Sequence, residues 1–181
     1  MFPSLRLDGF RGEFLWELEL AERQVLAMAE ALPAEKYDWY PAAGARSVSE
    51  VFIHLAGGHF MLLHFIGVPA PADIYGPAAA DPHERLLQIV RRNDELDKEV
   101  HDKAAVTELL RRSLNAVRDA LTASGDAALA ESRFFFGEQT TVRRIYLRLL
   151  VHLHEHMGQL IAYLRMNDMK VPWPDWRPDR R

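Results

Sequence analysis

Cysteine is absent from this chain of 181 residues. Its absence excludes disulfides, thiolate metal ligands and a cysteine nucleophile together. Any chemistry must therefore use histidine, carboxylates, hydroxyl groups or a bound metal. Because small exported domains are often stabilised by disulfides, the absence of cysteine also favours a cytoplasmic location.

The chain has neither an excess of positive charge nor a long uncharged apolar run. Its net charge is −4, its isoelectric point is about 6.1, and its Lys and Arg residues are scattered. This pattern is not typical of proteins that bind nucleic acids or anionic membranes. No uncharged apolar stretch reaches the length of a membrane span, and segment 1–14 lacks the apolar core of a signal peptide. We therefore expect a soluble protein without nucleic-acid or membrane partners.

Glycine-rich phosphate loops, zinc-finger spacings, internal repeats and low-complexity tracts are also missing. The dominant pattern is instead helical periodicity, with apolar residues at spacings of three and four. The length fits one domain. We predict a single helical-bundle domain over residues 1–181, with an irregular C-terminal tail at 168–181.

The first, second and last helices are the best defined. The apolar pattern predicts a first helix over 10–32, before a proline, and a last helix over 141–167. The second helix begins at Ser47, where Ser47 and Glu50 match a capping box, and it ends near Gly67.

The middle of the chain is less regular. The proline-rich segment 68–82 predicts a long crossover, and Asp81 before Pro82 marks the start of a weaker helix. Residues 84–123 form one bent helix or two, and the pattern does not decide between them. The short apolar run at 131–139, ESRFFFGEQ, gives almost no support for strands. Four principal helices with one long crossover predict an all-α four-helix bundle with up-down-down-up connectivity.

The most informative stretch is VHLHEHMGQL, residues 151–160. His152 and His156 are four apart, so their side chains lie one above the other on one face of a helix. Two such imidazoles suit one divalent metal ion but do not complete its site. His154 points about 200° away from His152, which excludes it from the same ion.

A third ligand has to come from another part of the chain. His54 lies at the edge of the buried stripe of the second helix, and Gly58 one turn later leaves room for a metal or a substrate. Gln159 and Tyr163 flank the His152–His156 pair on its own face.

Structural roles compete with this interpretation. A histidine at the border of an apolar stripe is usually hydrogen-bonded in place, and chance pairs occur in a chain with eight histidines. Spacing alone does not favour a metal site over these roles. We assign surface or packing roles to the remaining histidines, His59, His64, His83, His101 and His154.

Two long stretches resemble the DinB family of metal-binding four-helix bundles, also called DinB/YfiT-like. They are RSVSEVFIHLAGG at 46–58 and LLVHLHEHMGQLIAYLRMNDMKVPWP at 149–174. The first contains the family's S-x-x-E-x-x-x-H helix start, and the second its H-x3-H-x2-Q pattern. A W-x-P loop precedes them at Trp39–Pro41.

The resemblance implies a divalent-metal site formed by His54, His152 and His156. Nickel or zinc is the expected ion, and manganese or iron is also compatible with three imidazoles. Three protein ligands leave coordination positions for water or substrate, which is typical of catalytic sites.

Characterised relatives use low-molecular-weight thiols as cosubstrates. The resemblance therefore implies a metal-dependent thiol S-transferase, or a related hydrolase or isomerase. In such an enzyme the metal lowers the pKa of bound water or holds a thiol as thiolate. Gln159, Tyr163 or Glu50 would orient a metal-bound group.

The alternative is a non-catalytic, homodimeric metal-binding stress protein. The apolar arc of the last helix extends through Leu147, Leu150 and Ile161, wider than one face of a bundle needs. This excess predicts a second copy of the chain as partner. A dimer fits both hypotheses, so the fourth coordination position has to separate them. An open position indicates chemistry, and a capped one indicates structure.

Overall fold

The computed structural model describes residues 8–173, which are mostly helical. The predicted tail lies largely outside the described residues, and its part at 168–173 contains no helix or strand. In chain order the elements are α1 (Gly9–Ala31), a short 3-10 helix (Ala34–Lys36), α2 (Val48–Phe65), α3 (Ala72–Tyr75), α4 (Pro82–Glu99), α5 (Lys103–Ala123), α6 (Asp126–Leu129), β1 (Ser132–Phe135), β2 (Glu138–Thr141) and α7 (Val142–Met166).

The predicted first, second and last helices are confirmed as α1, α2 and α7. The capping box is also confirmed. The Ser47 hydroxyl accepts from the Glu50 amide at 3.2 Å, and the Glu50 carboxylate accepts from the Ser47 amide at 2.6 Å. These two bonds satisfy backbone donors that the first turn of a helix leaves free.

The segment 84–123 forms two helices, α4 and α5. The chain leaves the helical conformation at Val100, and Asp102 then caps α5 by accepting from the Ala105 amide at 3.0 Å. Asp81 caps α4 in the same way, and Pro82 occupies its first turn as expected. The crossover before α4 contains one short helix, α3.

The expectation of an all-helical chain is wrong at residues 132–141. There β1 and β2 form an antiparallel hairpin in which Phe135 pairs with Glu138. The two-residue loop, Phe136 and Gly137, has φ of 46° and 89°. Positive φ at both loop positions is typical of a type I′ turn, whose twist matches that of paired strands. The run of three phenylalanines hides the alternation by which a strand is recognised.

Helix α2 lies at the centre of the fold and packs against α4, α5 and α7, whereas α1 packs against α5 and α7. By length and composition α2 is apolar enough to cross a membrane, but 72% of it is buried inside the protein. Its apolar character is that of a core helix. The packing of α7 and α4 on α2 brings the functional residues together.

Candidate metal centre

Three histidines from two helices converge at the interface of α2 and α7. His54 comes from α2, and His152 and His156 come from α7. The Nε2 atoms of His54 and His152 are 3.1 Å apart, and the three ring centroids are 4.7 to 5.0 Å apart. One ligand nitrogen from each ring lies within 4.8 Å of the other two. The three side chains thus form a group that could hold a metal ion.

The chemistry of this donor set fits a divalent ion. Imidazole nitrogens at roughly 2.0–2.1 Å from a tetrahedral ion lie about 3.3 Å from each other, close to the separation of the two Nε2 atoms. Burial lowers the pKa of His54 to about 4, with smaller contributions from Arg46 and His156. Burial and the two neighbouring imidazoles lower the pKa of His152 to about 3. Both rings are neutral at pH 7, the state that binds metal.

A directed chain of hydrogen bonds orients His156. Its Nδ1–H donates to the Gln159 side-chain oxygen at 2.9 Å, and the Gln159 amide donates to the Tyr163 hydroxyl at 2.8 Å. The Tyr163 hydroxyl in turn donates to the Arg46 carbonyl at 2.9 Å. Because Nδ1 carries the proton, the lone pair of His156 is on Nε2, which is left for a metal.

His152 is positioned by packing. A Cβ atom added to Gly58 would lie 2.5 Å from Cε1 of the His152 ring, so only glycine leaves space for that ring. The His152 Nδ1 is buried and has no hydrogen-bond partner among residues 8–173. Gly58 also lines the cavity beside the three histidines, so its missing side chain makes room for the His152 ring next to the space predicted for a metal or a substrate.

The three histidines line a cavity of about 500 Å³ that opens to solvent. Within the described part of the chain, no carboxylate or further histidine joins the three as a fourth ligand. The cavity is lined by α2, α4, α7, the loop before α2 and the tip of the hairpin. Its other lining residues are Arg46, Gly58, Met61, Leu62, Val90, Asn93, Asp94, Asp97, Phe135, Phe136, Arg148 and Glu155.

The remaining histidines lie apart from this group. His59 is fully buried, and its Nδ1 is 2.9 Å from the Ser113 hydroxyl. His154 is exposed, with Nδ1 2.9 Å from the Leu150 carbonyl. His101 contacts Ser49 and the Lys98 carbonyl. His64 is half-buried, and His83 is exposed.

The three residues expected to orient a bound group occupy different positions. Gln159 and Tyr163 belong to the hydrogen-bond chain that holds His156. Glu50 is engaged in the capping box and does not line the histidine cavity. It lies beside Arg46 and Gln159 in a neighbouring depression. None of the three residues lines the histidine cavity, and Glu50 and Gln159 share the neighbouring depression.

Sequence reasoning missed Asp97 on α4. This side chain lines the cavity, and its Oδ1 is buried without a hydrogen-bond partner among the described residues. Its Oδ2 lies 3.9 Å from Nε of Arg46. Burial raises the pKa of Asp97 to about 6, because Arg46 only partly offsets the loss of hydration. No sequence motif marks this residue, since it reaches the cavity only through the packing of α4 on α2.

This protein is thus of the mostly helical class, with a three-histidine group at a helix interface that could hold a metal ion. The family profile of the DinB superfamily matches residues 17–160. The chain belongs to this superfamily, whose members are generally metal-binding. A comparison with curated proteins gives no match.

The fold is also found in a solved structure. A DinB-like protein from Bacillus cereus ATCC 10987 superposes with a TM-score of 0.67 at 18% sequence identity. The match covers 90% of this chain and 95% of that one. At this identity the similarity concerns the fold alone.

Proposed function

We propose that this protein is a divalent-metal-dependent enzyme whose metal ligands are His54, His152 and His156. The observation that carries the proposal is the combination of convergence and access. Three imidazoles face one another, no carboxylate or further histidine from the described residues closes the group, and a cavity of about 500 Å³ reaches it. Catalytic metal sites need this open position, whereas structural sites are closed by a fourth ligand.

The leading reaction is thiol S-transfer, with hydrolysis or isomerisation as related chemistry. A bound metal supplies Lewis acidity, which lowers the pKa of a coordinated thiol or water. The chain itself orients the ligands: Gln159 fixes the tautomer of His156, and Gly58 admits the ring of His152. At the cavity wall, Asp97 is a carboxylate with an unpaired oxygen, suited to receive a proton.

Nickel or zinc is the proposed ion, and manganese or iron also suits the donor set. A low-molecular-weight thiol is the proposed cosubstrate, because the superfamily includes thiol-dependent enzymes. We place the protein in the cytoplasm, where such thiols stay reduced. For the bundle we propose up-down-down-up connectivity with the crossover at 68–82.

The ligand assignment is tested by metal analysis of the native protein beside His54→Ala and His156→Ala. We expect near-stoichiometric divalent metal in the native protein and at least tenfold weaker retention in each variant. The matched control is His154→Ala, on the same helix but exposed and outside the group. Unchanged metal content in both ligand variants would overturn the assignment.

Catalysis is tested separately by conjugation of monochlorobimane with a panel of thiols, with nickel, zinc or manganese added. We expect turnover with at least one pair of thiol and metal, and its loss in His54→Ala. Metal binding without turnover in any combination would favour the non-catalytic alternative.

We propose a homodimer under both hypotheses, the enzyme and the non-catalytic metal-binding protein. One observation favours it. Leu147 and Val151 lie one turn apart on α7 and are 46% and 48% exposed. Beside them, Phe135, Arg144 and Arg148 complete a shallow apolar depression. Light scattering should give the mass of two chains for the native protein and of one chain for the double variant Leu147→Glu/Val151→Glu. A native monomer would remove the dimer from both hypotheses.

A further inference from the structure

The tip of the hairpin carries an aromatic cluster that the proposed function does not use. We call Phe65, Phe135 and Phe136 the hairpin cluster. The ring centroid of Phe65 is 4.9 Å from that of Phe135 and 5.2 Å from that of Phe136. The two hairpin rings are 4.6 Å apart. These distances are typical of aromatic rings in contact.

Two of the three rings of the hairpin cluster border the cavity of the histidine group. Phe135 and Phe136 line the same space as His54, His152 and His156. Three further apolar side chains line it from α2 and α4, Met61, Leu62 and Val90. The cavity thus has an apolar part beside its histidine part, as small-molecule sites commonly do.

Phe136 occupies this position at two costs. Its side chain is 66% exposed, so the ring gains little from burial. Its φ of 46° is left-handed, which for a bulky residue is an outlier. Type I′ loops strongly prefer Asn-Gly, and here Phe136 stands where asparagine is favoured, before Gly137. Such local strain concentrates at functional sites.

We infer that the hairpin cluster binds a flat, apolar group of the substrate, so that the electrophile is an aryl compound or a similarly conjugated one. The ring of such a compound would stack on Phe136 and Phe135, with its reacting atom toward the three histidines. That the bound compound reacts rests on the proposed function, whereas its binding to the cluster does not.

The hairpin offers its own matched control. Phe134 is 64% exposed, almost the same as Phe136, but it does not line the histidine cavity. It lies instead at a different depression, beside His64 and Pro82. Phe134→Asn and Phe136→Asn therefore remove equally exposed rings from the same hairpin, and only the second removes a ring from the cavity.

The test is the fluorescence binding of N-phenyl-1-naphthylamine, a neutral aryl probe, to the native full-length protein and the two variants. We expect Phe136→Asn to weaken binding at least fivefold and Phe134→Asn to change it less than twofold. Phe136→Asn should also keep or raise the thermal midpoint, because asparagine suits the turn. Lower affinity with equal or higher stability is not the signature of a misfolded variant.

Equal weakening by both variants, or none by Phe136→Asn, would overturn the inference. His154→Ala should bind the probe as the native protein does, because His154 is exposed and does not line the cavity. If no thiol is conjugated with any metal while Phe136→Asn alone loses the probe, the proposed function fails and the binding surface stands.

Discussion

Two histidines five residues apart on α2 have opposite surroundings. His54 is half-buried and meets two other imidazoles at an open cavity. His59 is sealed in the core and donates to the Ser113 hydroxyl, which itself donates to the Leu110 carbonyl. Burial lowers the pKa of each to about 4.

The same pKa therefore does not mean the same role. The His59 ring has a hydroxyl partner and no route to solvent, so its environment is that of a structural residue. The His54 ring has two imidazole neighbours instead, and its Nε2 lies 3.1 Å from Nε2 of His152. Convergence and access, more than burial, distinguish a candidate ligand from a core histidine.

The largest expected effect on the histidine group comes from Gly58→Ala. The added methyl group would collide with the His152 ring at 2.5 Å, so the ring must leave the group. We expect metal affinity to fall on the order of 100-fold, the upper end of the cost of disturbing a ligand's surroundings. Competition with a chromogenic chelator measures it.

Gly158→Ala is the matched control, because Gly158 is also helical and has no heavy atom within 4 Å of the added Cβ. It should keep its metal affinity and gain about 0.5–1 kcal/mol of stability from helix propensity. Equal metal affinity in the two alanine variants would show that Gly58 does not position His152.

His59, the core histidine of this comparison, should make the free energy of unfolding depend on pH. Its folded pKa of about 4 is below the unfolded value of 6.5, so protonation favours unfolding. Its contribution is complete above pH 6.5 and is lost as the pH falls toward 4. Between pH 7 and pH 5 the loss is about 2 kcal/mol.

His59→Asn, whose amide can still donate to Ser113, should remove this part of the pH dependence. Urea denaturation of both proteins at several pH values provides the measurement. A variant as sensitive to acid as the native protein would assign the loss to other groups.

A smaller effect is expected from Gln159→Leu. The substitution removes the acceptor of the His156 Nδ1–H, so the ring loses its fixed tautomer. Metal affinity should fall about tenfold, within the usual range for an outer partner of a ligand. Tyr163→Phe, which breaks the same chain one step further away, should cost less. If the tyrosine change costs more, the chain does not act through His156.

Asp97→Asn should have the smallest effect, and it should be stabilising. The folded pKa of about 6 lies above the usual value of 3.8, so the ionised carboxylate costs stability as the pH rises through this interval. Asparagine stays neutral and should add about 1 kcal/mol at pH 7, after allowance for solvent screening. Thermal denaturation at pH 4 and pH 7 checks it, since the gain should be absent at pH 4.

The helices and the pairing of His152 with His156 were predictable because their signals are local, whereas His54 was implied as a ligand by the resemblance to the DinB family. A capping box defines the start of α2, and a spacing of four places His152 and His156 on one face. The hairpin was missed because Phe136 occupies a turn position where asparagine or glycine would have been the signal. The close approach of Gly58 to His152 was not predicted because the nearest atom to its missing Cβ belongs to α7, ninety-four residues further along the chain.

The hydrogen-bond chain from His156 through Gln159 to Tyr163 ends on the Arg46 carbonyl, in the loop before α2. In thermodynamic terms, docking of this loop and binding of a metal are linked equilibria. The free energy by which loop docking strengthens metal binding equals the free energy by which metal binding stabilises the docked loop. Metal loading should therefore slow amide hydrogen exchange at Val48 and Ser49, whose N–H groups donate to the loop carbonyls of Trp39 and Tyr37.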